Sequence, residues 1–437
     1  MCVEFSGWEM AESTQTVTIE KLVQGGRGLA HLGAQVVFVP GVLPTETVVV
    51  SLAPHKDFQE ATVRQVLTAS PDRVIPPCSV YDICGGCQFQ HVGYEAQLRY
   101  KAAILVETLQ RIGHLEVAHM PAIIPSPSPY GYRSGLRFVV YCAAPGFTLG
   151  FHKQRSKEVV PAVGCRLIPD TLRRAVEAIS AKLSSASRLP VRVDELELRG
   201  SLAFGSLLLS WKTGPAGLEQ VQRFCGLFQD LPDLAGQVVS TKTGARWVFG
   251  QEWIADRLDG LLFRISDRSF MQSHWKLNQT LTRTIIDWVE PAQTTRVLEL
   301  FAGIGTIGLP LARQGALVTE VEANQYALAD CRQAAKINHI GRSRFRHLLA
   351  EAMLKGTADG EYDVIIVDPP RAGLTAESVQ ELIRLEADRL LYLSCDAPTL
   401  ARDLSRLCAG GYKIRRLQAF DMFPQTAHLE TLVELGR

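Results

Sequence analysis

The sequence predicts a multidomain α/β chain, and three observations carry that expectation. From about Asn278 onward, short apolar strand-like runs alternate with amphipathic helical segments. The first seventy residues or so instead alternate apolar and polar side chains between turn residues, the mark of a small all-β unit. A length of 437 residues also exceeds what one ordinary core organises. Apolar residues make up 46% and charged residues 21%, the balance of a globular protein. The longest apolar stretch, Leu300 to Ala312, is ended by Arg313 well short of a membrane span, so no membrane partner is expected. Met1 to Met10 carries Glu4 and Glu9 and has no basic region ahead of an apolar core, so no secretory signal is expected, and Met10 is an alternative start. Ten cysteines without such a signal point to a reducing, cytoplasmic setting, where clustered thiols bind metal or react rather than pair.

Taken in order, the elements divide the chain into units at 12–70, 71–270 and 271–437. In the first unit Thr16–Ile19, Gln35–Val39, Thr45–Leu52 and Ala61–Val66 read as strands of a small antiparallel barrel. Its Lys21, Arg27, Lys56 and Arg64 are balanced by Glu20, Glu46, Asp57 and Glu60, so it is not visibly basic. Ser70-Pro71 and Pro76-Pro77 then form a stiff connector into a cysteine cluster. Leu98, Ala102, Leu105, Leu109 and Ile112 recur at helical spacing, which predicts an amphipathic helix over 94–113 that packs on the last unit. Pro121 to Pro129 is a loop. The remainder of the middle unit mixes strand-like runs with a helix near Asp170–Leu183, an α+β pattern. Between Gly131 and Arg166, six basic residues (Arg133, Arg137, Lys153, Arg155, Lys157, Arg166) face one acid, Glu158, with Tyr132, Phe138, Tyr141, Phe147 and Phe151 interleaved. Cations beside aromatic faces suit single-stranded RNA, although a solvated basic sheet face has the same composition. In the last unit Arg296–Leu300, Leu317–Val321, Asp363–Val367 and Leu390–Ser394 read as strands of a doubly wound, mostly parallel sheet.

Three motifs in that sheet carry chemistry. Val297 to Gly308 is a strand running into Gly303, Gly305 and Gly308, a turn that lets backbone approach a nucleotide-like ligand. Glu322 stands where the next strand ends, placed for ribose hydroxyls. Asp363-Val-Ile-Ile-Val-Asp-Pro-Pro-Arg ends a strand with Asp368 at the crevice edge, and the two prolines stop both helix and ladder. In Leu393-Ser-Cys-Asp-Ala-Pro-Thr, Cys395 sits between a strand end and a helix start, where helix dipoles can lower a thiol pKa. Taken alone, the glycine pattern equally suits a nicotinamide-dependent oxidoreductase.

Together with Asp421-Met-Phe-Pro-Gln-Thr-Ala-His-Leu-Glu430, these motifs resemble the RNA uracil-C5 methyltransferases along the length of the chain. The resemblance implies a Rossmann-like S-adenosylmethionine methyltransferase domain. It implies Cys395 as covalent nucleophile and Glu430 as base, with S-adenosylmethionine contacts at Gln272, Phe301, Gly303, Gly305, Glu322 and Asp368. Departures fall at Ala397-Pro398, where Pro-Ala is usual, at Ser273-His274, where Val-Asn is usual, and at Glu320, where glycine is common. Cys78, Cys84 and Cys87, with Cys165 as a fourth ligand, have a spacing that permits structural zinc or an iron–sulfur cluster. The ribosomal-RNA branch of the family implies a [4Fe–4S] cluster there and a TRAM-type, OB-like barrel at the amino terminus. The expected partner is therefore 23S ribosomal RNA, with no obligate protein partner and a monomeric chain. The competing readings are the same chemistry on tRNA, an amino-methyltransferase needing no cysteine at 395, and a non-catalytic RNA-binding assembly factor. The histidines and Cys2, Cys142, Cys225, Cys331 and Cys408 read as structural or ordinary.

Overall fold

The computed structural model describes residues 14–54, 58–117, 121–143, 146–154 and 156–437. Glu4, Glu9, Met10, Cys2, Lys56, Asp57 and Arg155, all used in the sequence reading, lie outside them.

The amino-terminal strands are β1 (Thr14–Thr18), β2 (Lys21–Val23), β3 (Arg27–Leu32), β4 (Gln35–Val39), β5 (Thr47–Pro54) and β6 (Gln59–Thr68). They form one sheet in the order β1-β5-β6-β4-β3-β2, antiparallel except at β4·β6, and β1 comes back beside β3. Period-two alternation sends Val17, Ala30, Val37, Val39, Val48 and Val50 into a shared core. Sequence periodicity had passed over β2, only three residues long, and β3, whose Gly28 and His31 interrupt the alternation.

Helix α1 (Tyr94–Gly113) and the two-residue strand β7 (Ile123–Ile124) follow the cysteine segment. The middle sheet comprises β8 (Gly135–Ala143), β9 (Gly146–His152), β10 (Val159–Pro161), β11 (Val193–Gly200), β12 (Leu207–Thr213), β13 (Leu234–Thr241) and β14 (Arg246–Gly250). Its order is β10-β9-β8-β11-β12-β13-β14, with helices α2 (Asp170–Ser184) and α3 (Leu218–Gly226) laid on it around Trp211, Phe224 and Phe228. A hairpin, β15 (Trp253–Leu258) and β16 (Leu261–Ser266), leads onward.

From there the chain alternates: α4 (Trp275–Val289), β17 (Arg296–Leu300), α5 (Gly308–Arg313), β18 (Leu317–Val321), α6 (Gln325–Ile337), β19 (Ser343–Arg346), α7 (Ala350–Gly356), β20 (Val364–Val367), α8 (Ala376–Leu385), β21 (Arg389–Ser394), α9 (Ala397–Ala409), β22 (Lys413–Phe420) and β23 (Glu430–Gly436). The eight-stranded sheet runs β19-β18-β17-β20-β21-β23-β22-β7, parallel except where β23 meets its two neighbours. Strand order reverses between β17 and β20, and ligands bind such sheets at the carboxyl ends beside that point. Helices cover both faces: α8, α9 and α1 on one core, α4 and α5 on the other. The elements numbered inside 71–270 thus do not all serve the middle sheet. Helix α1 packs on α9, β7 extends the last sheet, and the hairpin packs on α6.

Candidate active site

Register alone brings the two candidate reacting groups together. Ser394 of β21 pairs with Thr431 of the antiparallel β23, so Cys395, one step past Ser394, lies across from Glu430, one step before Thr431. Next door, Val367 of β20 pairs with Tyr392 and with Leu300 of β17, which sets Asp368 and Phe301 at the same edge. Glu322 follows β18 at that edge as well. Gln272 lies in the loop between β16 and α4. The nearby Asn324 amide donates to Arg268 O at 2.9 Å, tying this loop to the end of β18.

Electrostatics sharpen the picture. Burial pushes the Asp368 carboxyl up to about 7. Burial and then the Asp368 charge hold Glu430 well above the usual carboxylate range, with the Arg371 guanidinium working against them. The Cys395 thiol is pushed up to about 11 by burial, then by the charges of Glu430 and Asp368, opposed by Arg371. The expectation of a dipole-lowered thiol therefore does not hold for the protein alone. Asp396 caps α9, accepting from Thr399 N at 3.2 Å, so a carboxylate already occupies the helix terminus that was to have favoured a thiolate. Arg371, in the Asp-Pro-Pro-Arg turn, is a site residue that the sequence reading quoted without using. Thr399 Oγ1 donates to Arg371 O at 3.1 Å and so fastens that turn to the cysteine's own.

The glycine turn divides its labour. Gly303, at φ 57°, faces open space where a side chain would meet nothing within 4 Å. Its N–H donates to Glu322 Oε2 at 2.9 Å, while Asn324 N donates to Oε1 at 2.6 Å. Gly305 and Gly308 serve packing: a Cβ would come within 2.5 Å of Cys331 Sγ and 2.3 Å of Glu299 Oε2 respectively. Glu320 explains the second of these, since it pairs in register with Glu299, both are buried, and burial holds both carboxyls up. Phe301 adopts a left-handed φ of 64°, a backbone state bulky residues rarely take outside constrained sites. Where asparagine is usual, His274 caps α4. It accepts from Leu277 N at 3.2 Å and meets Ser126 Oγ at 2.7 Å, and burial depresses its pKa to about 4.

Cys78, Cys84, Cys87 and Cys165 line one cavity of about 300 Å³, together with Arg133, Arg137 and Phe151. Among the described residues, no group of three or more His, Cys, Asp or Glu side chains stands ready to hold a single metal ion. Burial raises the Cys84, Cys87 and Cys165 thiols, Cys87 to about 12. The basic, aromatic stretch nearby is largely spent within the fold. Phe138 stacks on Phe151 in the core, Tyr132 is buried, Arg137 pairs with Glu197, and Lys153 pairs with Glu158. Among the described residues no helix is long and apolar enough to cross a membrane.

Known proteins resemble this chain along nearly its whole length. The family model for tRNA (Uracil-5-)-methyltransferase matches residues 227–437. A protein of Aquifex aeolicus described as an uncharacterized RNA methyltransferase is 32% identical, covering 98% of this chain and 99% of its own. Another of that description, from Gloeobacter violaceus, is 33% identical over 97% of this chain and 96% of its own. Among solved structures, the Pyrococcus abyssi tRNA (uracil-54, C5)-methyltransferase in complex with S-adenosyl-L-homocysteine superposes with a TM-score of 0.77. It has 25% identity and covers 96% of this chain and 99% of its own.

Proposed function

The chain belongs to the RNA (uracil-5-)-methyltransferase family, and on that premise we propose that it methylates C5 of a uridine in 23S ribosomal RNA through a covalent bond between Cys395 and C6. The observation that carries the reading is the cross-strand pairing of β21 and β23, which sets a thiol and a buried carboxylate side by side at the sheet's ligand edge.

S-adenosylmethionine supplies the electrophilic methyl. A pocket for it is supported by the open face of Gly303, by Glu322 fixed on two backbone amides, and by the acid Asp368, a set suited to a ribose and a cationic ligand. Uracil C5 is a poor nucleophile until C6 is attacked. The Cys395 thiolate adds to C6, and the C5–C6 π pair moves onto C5 and O4 as an enolate. C5 then takes the methyl from the sulfonium, whose S–CH3 bond pair stays on sulfur, leaving neutral S-adenosylhomocysteine. Glu430 removes the proton from C5, the C5–H pair re-forms the C5–C6 double bond, and the C6–S pair leaves with Cys395 as thiolate. Arg371 beside both groups favours their charged forms.

The cavity ringed by Cys78, Cys84, Cys87 and Cys165 fits a [4Fe–4S] cluster better than a lone zinc. Zinc draws four sulfurs to about 2.3 Å from one centre, whereas these thiols share with Arg133, Leu136 and Phe151 the lining of a cavity larger than one ion. Such a cluster would brace the segment between the amino-terminal sheet and α1. The amino-terminal sheet, read as an OB-like module, would add a second hold on RNA.

One observation favours tRNA instead: the Pyrococcus abyssi enzyme named for tRNA matches 96% of this chain, so a matching outline, amino-terminal region included, does not separate the two substrates. The test is methyl transfer from labelled S-adenosylmethionine to protein-free 23S rRNA and, separately, to unmodified tRNA, with nucleoside analysis. 5-Methyluridine in the rRNA is the expected result. Label in tRNA alone keeps the chemistry and replaces the substrate, and no label in either defeats the reading.

A further inference from the structure

The loop from Asp421 to Leu429 delivers Glu430 to the start of β23, yet it is fastened by parts of the chain three hundred residues away. From α1, Gln97 and Lys101 lie one helical turn apart on one face and meet this loop together. Lys101 Nζ donates to Asp421 Oδ1 at 2.5 Å and Phe423 O at 3.0 Å. The Gln97 amide is used at both ends: Nε2 donates to Gln425 Oε1 at 3.0 Å, and Oε1 accepts from Gln425 N at 3.1 Å. The same Nε2, whose two hydrogens are shared among three acceptors, also lies 3.1 Å from Phe89 O and 2.9 Å from Val92 O, so one side chain joins the cysteine segment to the base-carrying loop. From the cysteine segment itself, Gln88, immediately after Cys87, donates its N–H to Gln425 O at 3.0 Å and accepts from Ala427 N at 3.3 Å through Oε1. Phe89 N donates to the same Gln425 carbonyl at 2.9 Å. Gln425 is itself held at φ 68°, a left-handed state that an unclamped glutamine would leave.

A buried polar side chain costs stability unless its groups are bonded, and Gln97 is 1% exposed on a helix face that an apolar residue would fill more simply. We propose that Gln97 and Gln88 are positioning residues for Glu430, holding the Asp421–Leu429 loop so that the carboxylate reaches the C5 proton. The assignment rests on the functional reading above. Its consequence is a division of the reaction. Addition of Cys395 and methyl transfer do not need the loop, because Cys395 follows β21. Only proton removal and release of the cysteine do.

Gln97→Met keeps length and apolar volume but removes both ends of the amide, and Gln88→Met, on a less buried side chain, is the second variant should the first fold poorly. In single-turnover reactions with labelled S-adenosylmethionine, methyl transfer to RNA should be nearly unchanged. The labelled RNA–protein adduct on a denaturing gel should decay about tenfold more slowly or worse, within the range a general base contributes. Amide exchange at His428 and Leu429, which bond to neither glutamine, should quicken in both variants. Simple destabilisation lowers the melting temperature without changing the ratio of adduct to product, and an unchanged ratio in both variants overturns the proposal. If the parent protein methylates no uridine, the functional reading fails instead. Exchange at His428 and Leu429 then decides the positioning claim alone, faster exchange sustaining it and unchanged exchange overturning it.

Discussion

Cys395 shares its edge of the sheet with Glu430, Asp368 and Asp396, and the charge they place around it governs its reactivity. With the thiol pushed up to about 11, the thiolate fraction rises about tenfold per pH unit through the neutral range, and a raised Glu430 also gains its basic form as pH rises. Both limbs point the same way, so turnover should climb from about pH 6 to pH 9. A cationic ligand beside these carboxylates offsets their field. Iodoacetamide labelling of Cys395 should therefore begin at lower pH with S-adenosylmethionine than with S-adenosylhomocysteine, which lacks the sulfonium charge. Identical profiles for the two would discard the electrostatic account. Substitution separates the roles: Cys395→Ala should abolish turnover, while Glu430→Gln should trap labelled RNA on the protein, and a fully active Cys395→Ala enzyme would falsify the covalent scheme. Cys395 was marked in the sequence by the apolar run it follows, whereas Glu430 was named only through the resemblance of its motif, since β23 was not read as a strand. Their electrostatics were not legible. The helix start after Cys395 suggested a lowered thiol, and only the fold reveals that Glu430, from thirty-five residues on, returns across from it.

At the scale of elements, legibility follows burial. Strands β17, β18, β20 and β21 are covered on both faces and read as continuous apolar runs, so their bounds were visible within a residue. Strand β22, Lys-Ile-Arg-Arg-Leu-Gln-Ala-Phe, carries three cations near the sheet margin and was missed. So was β7, two residues within a proline-rich loop, which exists only because β22 offers it an edge. Helix α1 was visible by its period but not by its purpose. Its Lys101 forms an ion pair with Asp421 in which both side chains are fully buried. Burial, more than offsetting Asp421, lowers the Lys101 pKa. Removing one member of such a pair leaves an uncompensated charge and costs about 3–5 kcal/mol, whereas removing both together often costs little. Lys101→Met should accordingly lower the melting temperature by several degrees, and Lys101→Met with Asp421→Leu should recover much of the loss. A double variant no better than the single would mean the pair serves by geometry rather than by charge balance.

Across the whole molecule, one buried carboxylate ties the amino-terminal sheet to the connector, beside the packing of Leu22 and Leu43 on Phe89, Val92 and Ala96 and the Lys21–Glu107 ion pair. Glu46 has a fully buried side chain and accepts from Leu43 N at 2.8 Å and Ser70 N at 3.1 Å. Arg73, from the connector, reaches both of its oxygens, at 2.5 and 2.7 Å. Burial pushes this carboxyl up, but the Arg73 guanidinium and the two backbone amides outweigh it, so the folded pKa lies below the ordinary carboxylate value. A depressed folded pKa gives stability that is present above the unfolded value of about 4.5 and is lost as pH falls through the folded one. Acidification should thus loosen this junction while the eight-stranded sheet, built around apolar cores, persists. Glu46→Gln should mimic acid at neutral pH. It cannot pair with both Arg73 nitrogens as an anion, and it leaves a guanidinium only about a quarter exposed without its counter-charge. The cost should fall near the lower end of about 3–5 kcal/mol, because water still reaches Arg73. Limited proteolysis reads the outcome directly. The Glu46→Gln protein should be nicked at the Ser70–Pro77 connector at pH 7 as readily as the parent is at acidic pH, while the fragment carrying α1 and the methyltransferase sheet stays intact. Equal resistance of parent and variant at pH 7 would show that apolar contact, not Glu46, holds the amino-terminal sheet against the chain it precedes.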